Sequence, residues 1–254
     1  MLRPRLIPSL LLHDGSIVKT TKFRSLRYIG DPANTCRIFN ELCVDELALL
    51  DISATIDGRG PDLPLLKELA SECFMPLSYG GGIDSVEVAG RVLELGFEKI
   101  IVNTAALRKP QLIEDIAVAF GSQSLVASVD VKRTRWRRQQ TCWGASATVD
   151  ARKKPLEWAR RLEDLGAGEI LLTRVEREGT WTGLDVGLVR SVTEALSIPV
   201  IAQGGAGNIS HVREALDHGG ASAVAVGSMV VFQKMGAGVL VNFPTDAGLR
   251  AVDF

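Results

Sequence analysis

Residues 75–85 run MPLSYGGGIDS and residues 198–208 run IPVIAQGGAGN. In each, a short apolar run breaks into consecutive glycines and then into a polar segment suited to starting a helix. DELALL (45–50) and GEILLT (168–173) repeat at the same offset. Each half of the chain therefore carries strand, glycine-rich turn and helix in the same place. Working outward, eight apolar runs have strand length: 5–12, 46–51, 74–80, 99–104, 124–130, 169–174, 198–204 and 222–227. Amphipathic stretches alternate with them, among them 31–42, 61–73 and 85–96. The last places Val86, Val88, Val92, Leu93 and Leu95 in a rough helical stripe and Gly96 where a C-cap belongs. Strands alternating with helices call for parallel pairing and right-handed crossovers. A doubly wound open sheet is the alternative, but no G-x-G-x-x-G follows the first strand. The pattern predicts one (β/α)8 TIM barrel over residues 1–254, with two similar halves and two equivalent ligand-gripping corners at its mouth.

The 254 residues suit a single barrel of this kind. A hydrophobic share of 46% with 23% charged residues is that of a soluble globular chain, and a net charge of -1 excludes a global attraction to nucleic acid or anionic membrane. The apolar run near the N-terminus is too short to span a bilayer and lacks a small-residue cleavage site, so a cytoplasmic protein is expected. Cys36, Cys43, Cys73 and Cys142 form no C-x-x-C pair and have no His at metal spacing, so neither a metal nor a cofactor is expected. The connection 131–154 is too long for a simple βα loop and is expected to form a hairpin or lid after strand five. Within it RTRWRR (133–138) mixes arginine with tryptophan, a pattern open to nucleic-acid contact or to a solvated hairpin.

Gly80–Gly82 and Gly204–Gly207, with Ala206 between, follow strands three and seven. Such turns let backbone N–H groups approach phosphate oxygens, and they also serve simply as tight turns. Strands four and eight end in Asn103-Thr104 and Gly227-Ser228, which add donors beside each turn. Asp51 and Asp130 close strands two and five at the catalytic face. Asp130, set among apolar residues, is the best general acid or base. For Asp51 a loop-capping salt bridge and a functional role stand level. Lys19 on the first loop either closes over an anionic substrate or is surface charge. Arg5, Glu46, Lys99 and Glu169 start strands one, two, four and six, at the opposite end. Two cations and two anions there can form a closed ring, either a structural plug or a gate to a conduit through the barrel.

With these residues in view, the chain resembles the cyclase subunit of imidazole glycerol phosphate synthase over essentially its whole length. The resemblance rests on DG-x-x-VK, GDP, DEL-x-x-LDI, PL-x-x-GGGI, GSQ, GAGEILLT, GTWTGLD and IPVIA-x-GGAGN. It implies a glutaminase partner docked below the barrel and ammonia passing upward to a phosphorylated substrate. It further implies Arg5, Glu46, Lys99 and Glu169 as gate, and Asp130 as the strand-five acid. The ligand-binding positions it implies are Lys19, Asp51, Gly82, Asn103, Thr104, Thr173, Glu178, Gly205, Gly227 and Ser228. Two departures matter. Leu11 stands where the family's strand-one aspartate acts as a principal acid/base, with His13 and Asp14 expected in the loop beyond. Glu178 replaces an aspartate after strand six. LLLHDG, RYIGDPANTCRIFNE, ASECFMPLSYGGGI and VLVNFP resemble a branch from bacterial surface-polysaccharide clusters. That branch works with a glutaminase and an N-acetyl sugar amidotransferase to install an acetamidino group. The resemblance therefore implies ammonia delivery with cyclisation lost or weakened; the alternative is a working histidine-pathway cyclase.

Overall fold

The computed structural model describes residues 4–133 and 139–244. Twelve strands occur among them: β1 (Arg5–His13), β2 (Ser16–Thr21), β3 (Arg24–Gly30), β4 (Leu47–Asp51), β5 (Leu77–Gly80), β6 (Lys99–Val102), β7 (Leu125–Arg133), β8 (Gln140–Gly144), β9 (Val149–Asp150), β10 (Glu169–Arg174), β11 (Val200–Gln203) and β12 (Ala223–Val226). The helices are α1 (Pro32–Glu41), α2 (Leu63–Ser71), α3 (Val86–Leu93), α4 (Thr104–Arg108), α5 (Gln111–Phe120), α6 (Pro155–Asp164), α7 (Val186–Thr193), α8 (Ile209–Asp217) and α9 (Ser228–Val231). Eight strands pair in parallel in the order β10-β11-β12-β1-β4-β5-β6-β7, and β7 pairs β10 to close the ring. The chain is a (β/α)8 barrel.

Local chemistry sets where the helices start. Asp31 caps α1 by accepting the Asn34 N–H with Pro32 beside it, and Asp62, Ser85, Asp185 and Asn208 cap α2, α3, α7 and α8 in the same manner. The strands divide the core by their two-residue alternation. Leu6, Leu10, Leu12, Leu47 and Leu49 face the helices, whereas Ile7, Ala48, Ile101, Val126, Leu171 and Ile201 fill the barrel interior.

Three additions decorate the mouth. β2 and β3 form a hairpin that the strand-by-strand reading of the sequence missed. Asp14-Gly15, a two-residue turn with both residues at positive φ (46° and 70°), folds β2 back on β1, and Lys22-Phe23 (55° and 59°) makes the turn into β3. His13 pairs with Ser16 and so ends β1 rather than lying in the loop; Asp14 is in the turn. Next, β7 runs three residues beyond Asp130 because the following chain folds back on it as β8, pairing Asp130 with Trp143. Thr134 to Arg138, and with them most of RTRWRR, lie outside the described residues. The returning segment turns through Ala145, Ser146 and Ala147, all at positive φ. It is anchored across the mouth by Ala145 N–H on Thr104 Oγ1 and Ser146 Oγ on the Ile52 carbonyl, each at 2.8 Å. Finally, α4 and α9 stand in equivalent places of the two halves. Asn103 (φ -121°, ψ -82°) and Gly227 (φ -116°, ψ -79°) share one backbone conformation at their starts, as the internal repeat requires.

Candidate functional site at the two ends of the barrel

At the N-terminal ends of the strands the four charges form a closed ring. Arg5 bonds Glu46 at 2.7 Å and Glu169 at 3.0 Å, and Lys99 bonds the same two carboxylates at 3.3 and 3.2 Å. Each side chain is mostly buried, so alternation of sign is what makes the cluster tolerable: every charge has two opposite neighbours. Above it on the same inward faces lies an apolar layer of Ile7, Ala48, Ile101, Val126, Leu171 and Ile201.

Above that layer the interior turns polar. Gln203 donates to Ser9 Oγ at 3.3 Å, Thr173 Oγ1 stands 3.5 Å from Gln203 Oε1, and Ser128 Oγ stands 3.5 Å from Asp130 Oδ1. Thr173 also hydrogen-bonds Asp130, its register partner on the neighbouring strand. Burial pushes the Asp130 carboxyl up from 3.8 to about 7, overriding those two hydrogen bonds, and the Glu178 charge adds to the rise. Asp130 can thus hold or release a proton near neutrality, as an acid/base group must.

Asp130 and Leu11 line one cavity of about 380 Å³ at the mouth. Leu11 is 6% exposed and beside its register partner Leu50 on β4, and the two form an apolar part of the cavity wall. Gly80 to Asp84, Asn103, Thr104, Arg108 and Lys109 line the same cavity. Gly81 and Gly82 sit at φ 132° and 67°, and a Cβ on them would come within 2.6 Å of backbone at the end of β4 (Asp51) and in the loop after it (Arg59), respectively. Only glycine allows this turn to nest there. Thr104 Oγ1 already accepts from Ala145, and Asn103 Nδ2 donates to the Ser128 carbonyl at 3.2 Å.

Asp51 organises the loop after β4. Its Oδ1 accepts from Ser53 N–H, Ser53 Oγ, Ala54 N–H and Arg59, and its Oδ2 pairs Arg59 Nη1 at 2.9 Å. Arg59, Ser9, Ser128 and Gln203 were not picked out from the sequence. A glutamine ending the apolar run IPVIAQ and an arginine between Gly58 and Gly60 were the available signals.

The opposite corner is differently arranged. Gly205, Gly227 and Ser228 do not line the cavity. Lys19 Nζ pairs with Glu178 Oε1 at 2.5 Å, with side chains 3% and 6% exposed. A Cβ on Gly227 would lie 2.1 Å from that Nζ, so the ammonium rests directly on the Gly227 backbone. The hairpin is further held by Lys22 N–H donating to the Glu178 carbonyl at 2.8 Å. Among the described residues, no group of three or more His, Cys, Asp and Glu could hold a metal ion, and no helix is long and apolar enough to cross a membrane.

Comparison with known proteins agrees with this architecture. The profile of the family described as histidine biosynthesis protein matches residues 5–236. A Pseudomonas aeruginosa PAO1 protein named "Putative imidazole glycerol phosphate synthase subunit hisF2" is 46% identical over 244 residues, 96% of this chain and 97% of the relative. A Leptospira interrogans protein carrying the same name, as subunit HisF, is 41% identical over 96% of each chain. A Vibrio vulnificus YJ016 counterpart named as subunit hisF3 is 38% identical over 96% of this chain and 94% of its own.

Proposed function

The chain belongs to the histidine biosynthesis protein family, in its HisF-like cyclase group, and from that premise we propose that it is the ammonia-accepting barrel of a glutamine amidotransferase system. Ammonia enters from a glutaminase docked at the Arg5/Glu46/Lys99/Glu169 end and passes up the barrel. Its use is the acetamidino modification of an N-acetyl sugar by a separate amidotransferase, in the assembly of a surface polysaccharide. The observation that supports this reading is Leu11 across the mouth cavity from Asp130, above a ring of charges in which each cation bonds both carboxylates. A leucine neither donates nor accepts a proton, and loss of one positioned acid/base group costs about 10²–10⁴ in rate. In this reading the delivery end is retained, and the chemistry end keeps Asp130 without an acid on β1.

A second reading has its own observation. The Asp130 carboxyl, pushed up to about 7 by loss of hydration, is suited to serve alone as acid and base in a working cyclase. One experiment separates the two. Purified protein is given excess ammonium and the histidine-pathway cyclase substrate, beside a Leu11→Asp variant. The delivery reading expects no measurable imidazole glycerol phosphate from wild type and a gain of about 10²-fold or more from the variant. Wild-type turnover equal to that of ordinary cyclases refutes it in favour of the second reading. In parallel, co-expression with a glutaminase subunit of the imidazole glycerol phosphate synthase type is expected to give a stable complex with raised glutamine hydrolysis. Failure of the two to associate refutes ammonia delivery.

A further inference from the structure

Two cysteines from separate elements meet outside the barrel wall, where neither the charge ring nor the mouth uses them. Cys36 lies on the inner face of α1 and is fully buried. Cys73, two residues beyond α2, is half-buried and packs against the same core cluster. Asn40 stands one turn after Cys36 on the same side of α1, and its Oδ1 accepts the Phe74 N–H at 2.8 Å. That bond fixes the chain at Cys73 against α1, and the two thiols are hydrogen-bonded to each other.

The thiol pair is asymmetric. Cys36 is the donor: its hydrogen bond to Cys73, its burial and the nearby charges of Cys73, Asp31 and Glu72 all push its thiol far up, so it keeps its proton. Cys73 is the acceptor, and the donated hydrogen lowers its thiol against the opposing effects of burial and Glu72. Thiolate character and access to solvent therefore fall on one sulfur, with a protonated second sulfur in contact with it. The other cysteines lack this combination. Cys142 is buried, and loss of hydration pushes it up to about 12. Cys43 is exposed but donates to the Glu41 carbonyl rather than to a second sulfur.

We propose that Cys73 and Cys36 are a reversible redox couple that reacts with hydroperoxides, Cys73 being the attacking sulfur and Cys36 the resolving one. The Cys73 thiolate attacks a peroxide oxygen, the O–O bond breaks, and Cys73 becomes a sulfenic acid while the departing oxygen takes up a proton and leaves as water. The Cys36 sulfur then attacks the Cys73 sulfur and gives up its proton. The S–O bond breaks, the hydroxyl leaves with that proton as a second water, and a disulfide closes. Two electrons have passed from the two sulfurs to the peroxide, and an external dithiol returns them. The disulfide ties α1 to the chain entering β5. Phe74, which follows Cys73, is 91% exposed at the ring end, so the clamp lies beside the face to which the reading above assigns the glutaminase.

The test treats the reduced full-length protein with equimolar hydrogen peroxide at neutral pH. Remaining thiols are alkylated in denaturant, and the linkage is mapped by peptide mass spectrometry. The expected product links Cys36 to Cys73, leaves Cys43 and Cys142 as thiols, and recovers all four thiols with dithiothreitol. Cys36→Ser keeps a hydrogen-bond donor beside Cys73 but cannot resolve it. Dimedone, which captures sulfenic acids, is therefore expected to label Cys73 in this variant and not in wild type. Cys73→Ser is expected to keep its remaining thiols under the same treatment. A linkage through Cys43, four unreacted thiols, or Cys73 oxidised irreversibly without a partner overturns the proposal, as does dimedone labelling of Cys36 in place of Cys73. Should Cys36→Ser fail to fold, the wild-type map decides. No step of the test involves ammonia or a glutaminase, so ammonia delivery stands or falls separately.

Discussion

Replacing Asp130 by Asn should make the protein more stable in neutral and alkaline solution. The carboxyl titrates at 3.8 when unperturbed and at about 7 in the fold, because burial disfavours its charged form. Between those values the folded chain holds one proton more than the unfolded chain, so stability falls as pH rises through this window. At ~1.4 kcal/mol per tenfold change in the ionisation constant, the full window amounts to ~4 kcal/mol. Asparagine keeps the shape, retains a hydrogen-bonding oxygen for Ser128 and Thr173, and cannot ionise. Urea denaturation of both proteins at about pH 4 and about pH 8 isolates the effect, because every other titrating group cancels in the difference. Relative to wild type, Asp130→Asn is expected to gain ~4 kcal/mol across that range and to lose acid/base chemistry, the usual opposition of stability and function at a site. A difference between the two proteins that stays constant to within ~1 kcal/mol from acid to alkaline pH would refute a buried, proton-holding Asp130.

Other expectations follow from the same contacts. Gly227→Ala puts a methyl group 2.1 Å from Lys19 Nζ, so the end of that side chain must shift against Glu178; thermal unfolding is expected to show a loss of about 1–3 kcal/mol, and an unchanged midpoint would mean that Lys19 does not rest there. Glu46→Gln removes one of the two carboxylates shared by Arg5 and Lys99 and is expected to cost about 1–3 kcal/mol, a loss that a stability curve superimposing on wild type would contradict. Phe74, 91% exposed just ahead of β5 at the ring end, is expected to anchor the glutaminase. Phe74→Ser should leave stability within ~0.5 kcal/mol yet weaken the complex by about tenfold or more; equal affinity for the partner would remove Phe74 from the interface.

The barrel was legible in the sequence because its information is local and periodic. Eight apolar runs, proline-led turns and the offset repeat of MPLSYGGGIDS in IPVIAQGGAGN report which faces are buried, and burial is what selects a closed parallel sheet. The ring charges and Asp130 could likewise be placed, since a residue's position along a strand decides which end of the barrel it meets. The β2–β3 hairpin was less legible: β3 is largely exposed, Leu26 and Tyr28 included, so its apolar residues mark no buried face. Other features depend on distance in the chain and only the tertiary structure decided them. Lys19 and Glu178 are 159 residues apart and meet because the hairpin folds over the mouth. Asp51 takes Arg59 and three loop donors because the chain after β4 wraps around it. The inequality of the two corners arises in the same way: their backbones follow the repeat, but the side chain that fills one of them comes from outside it.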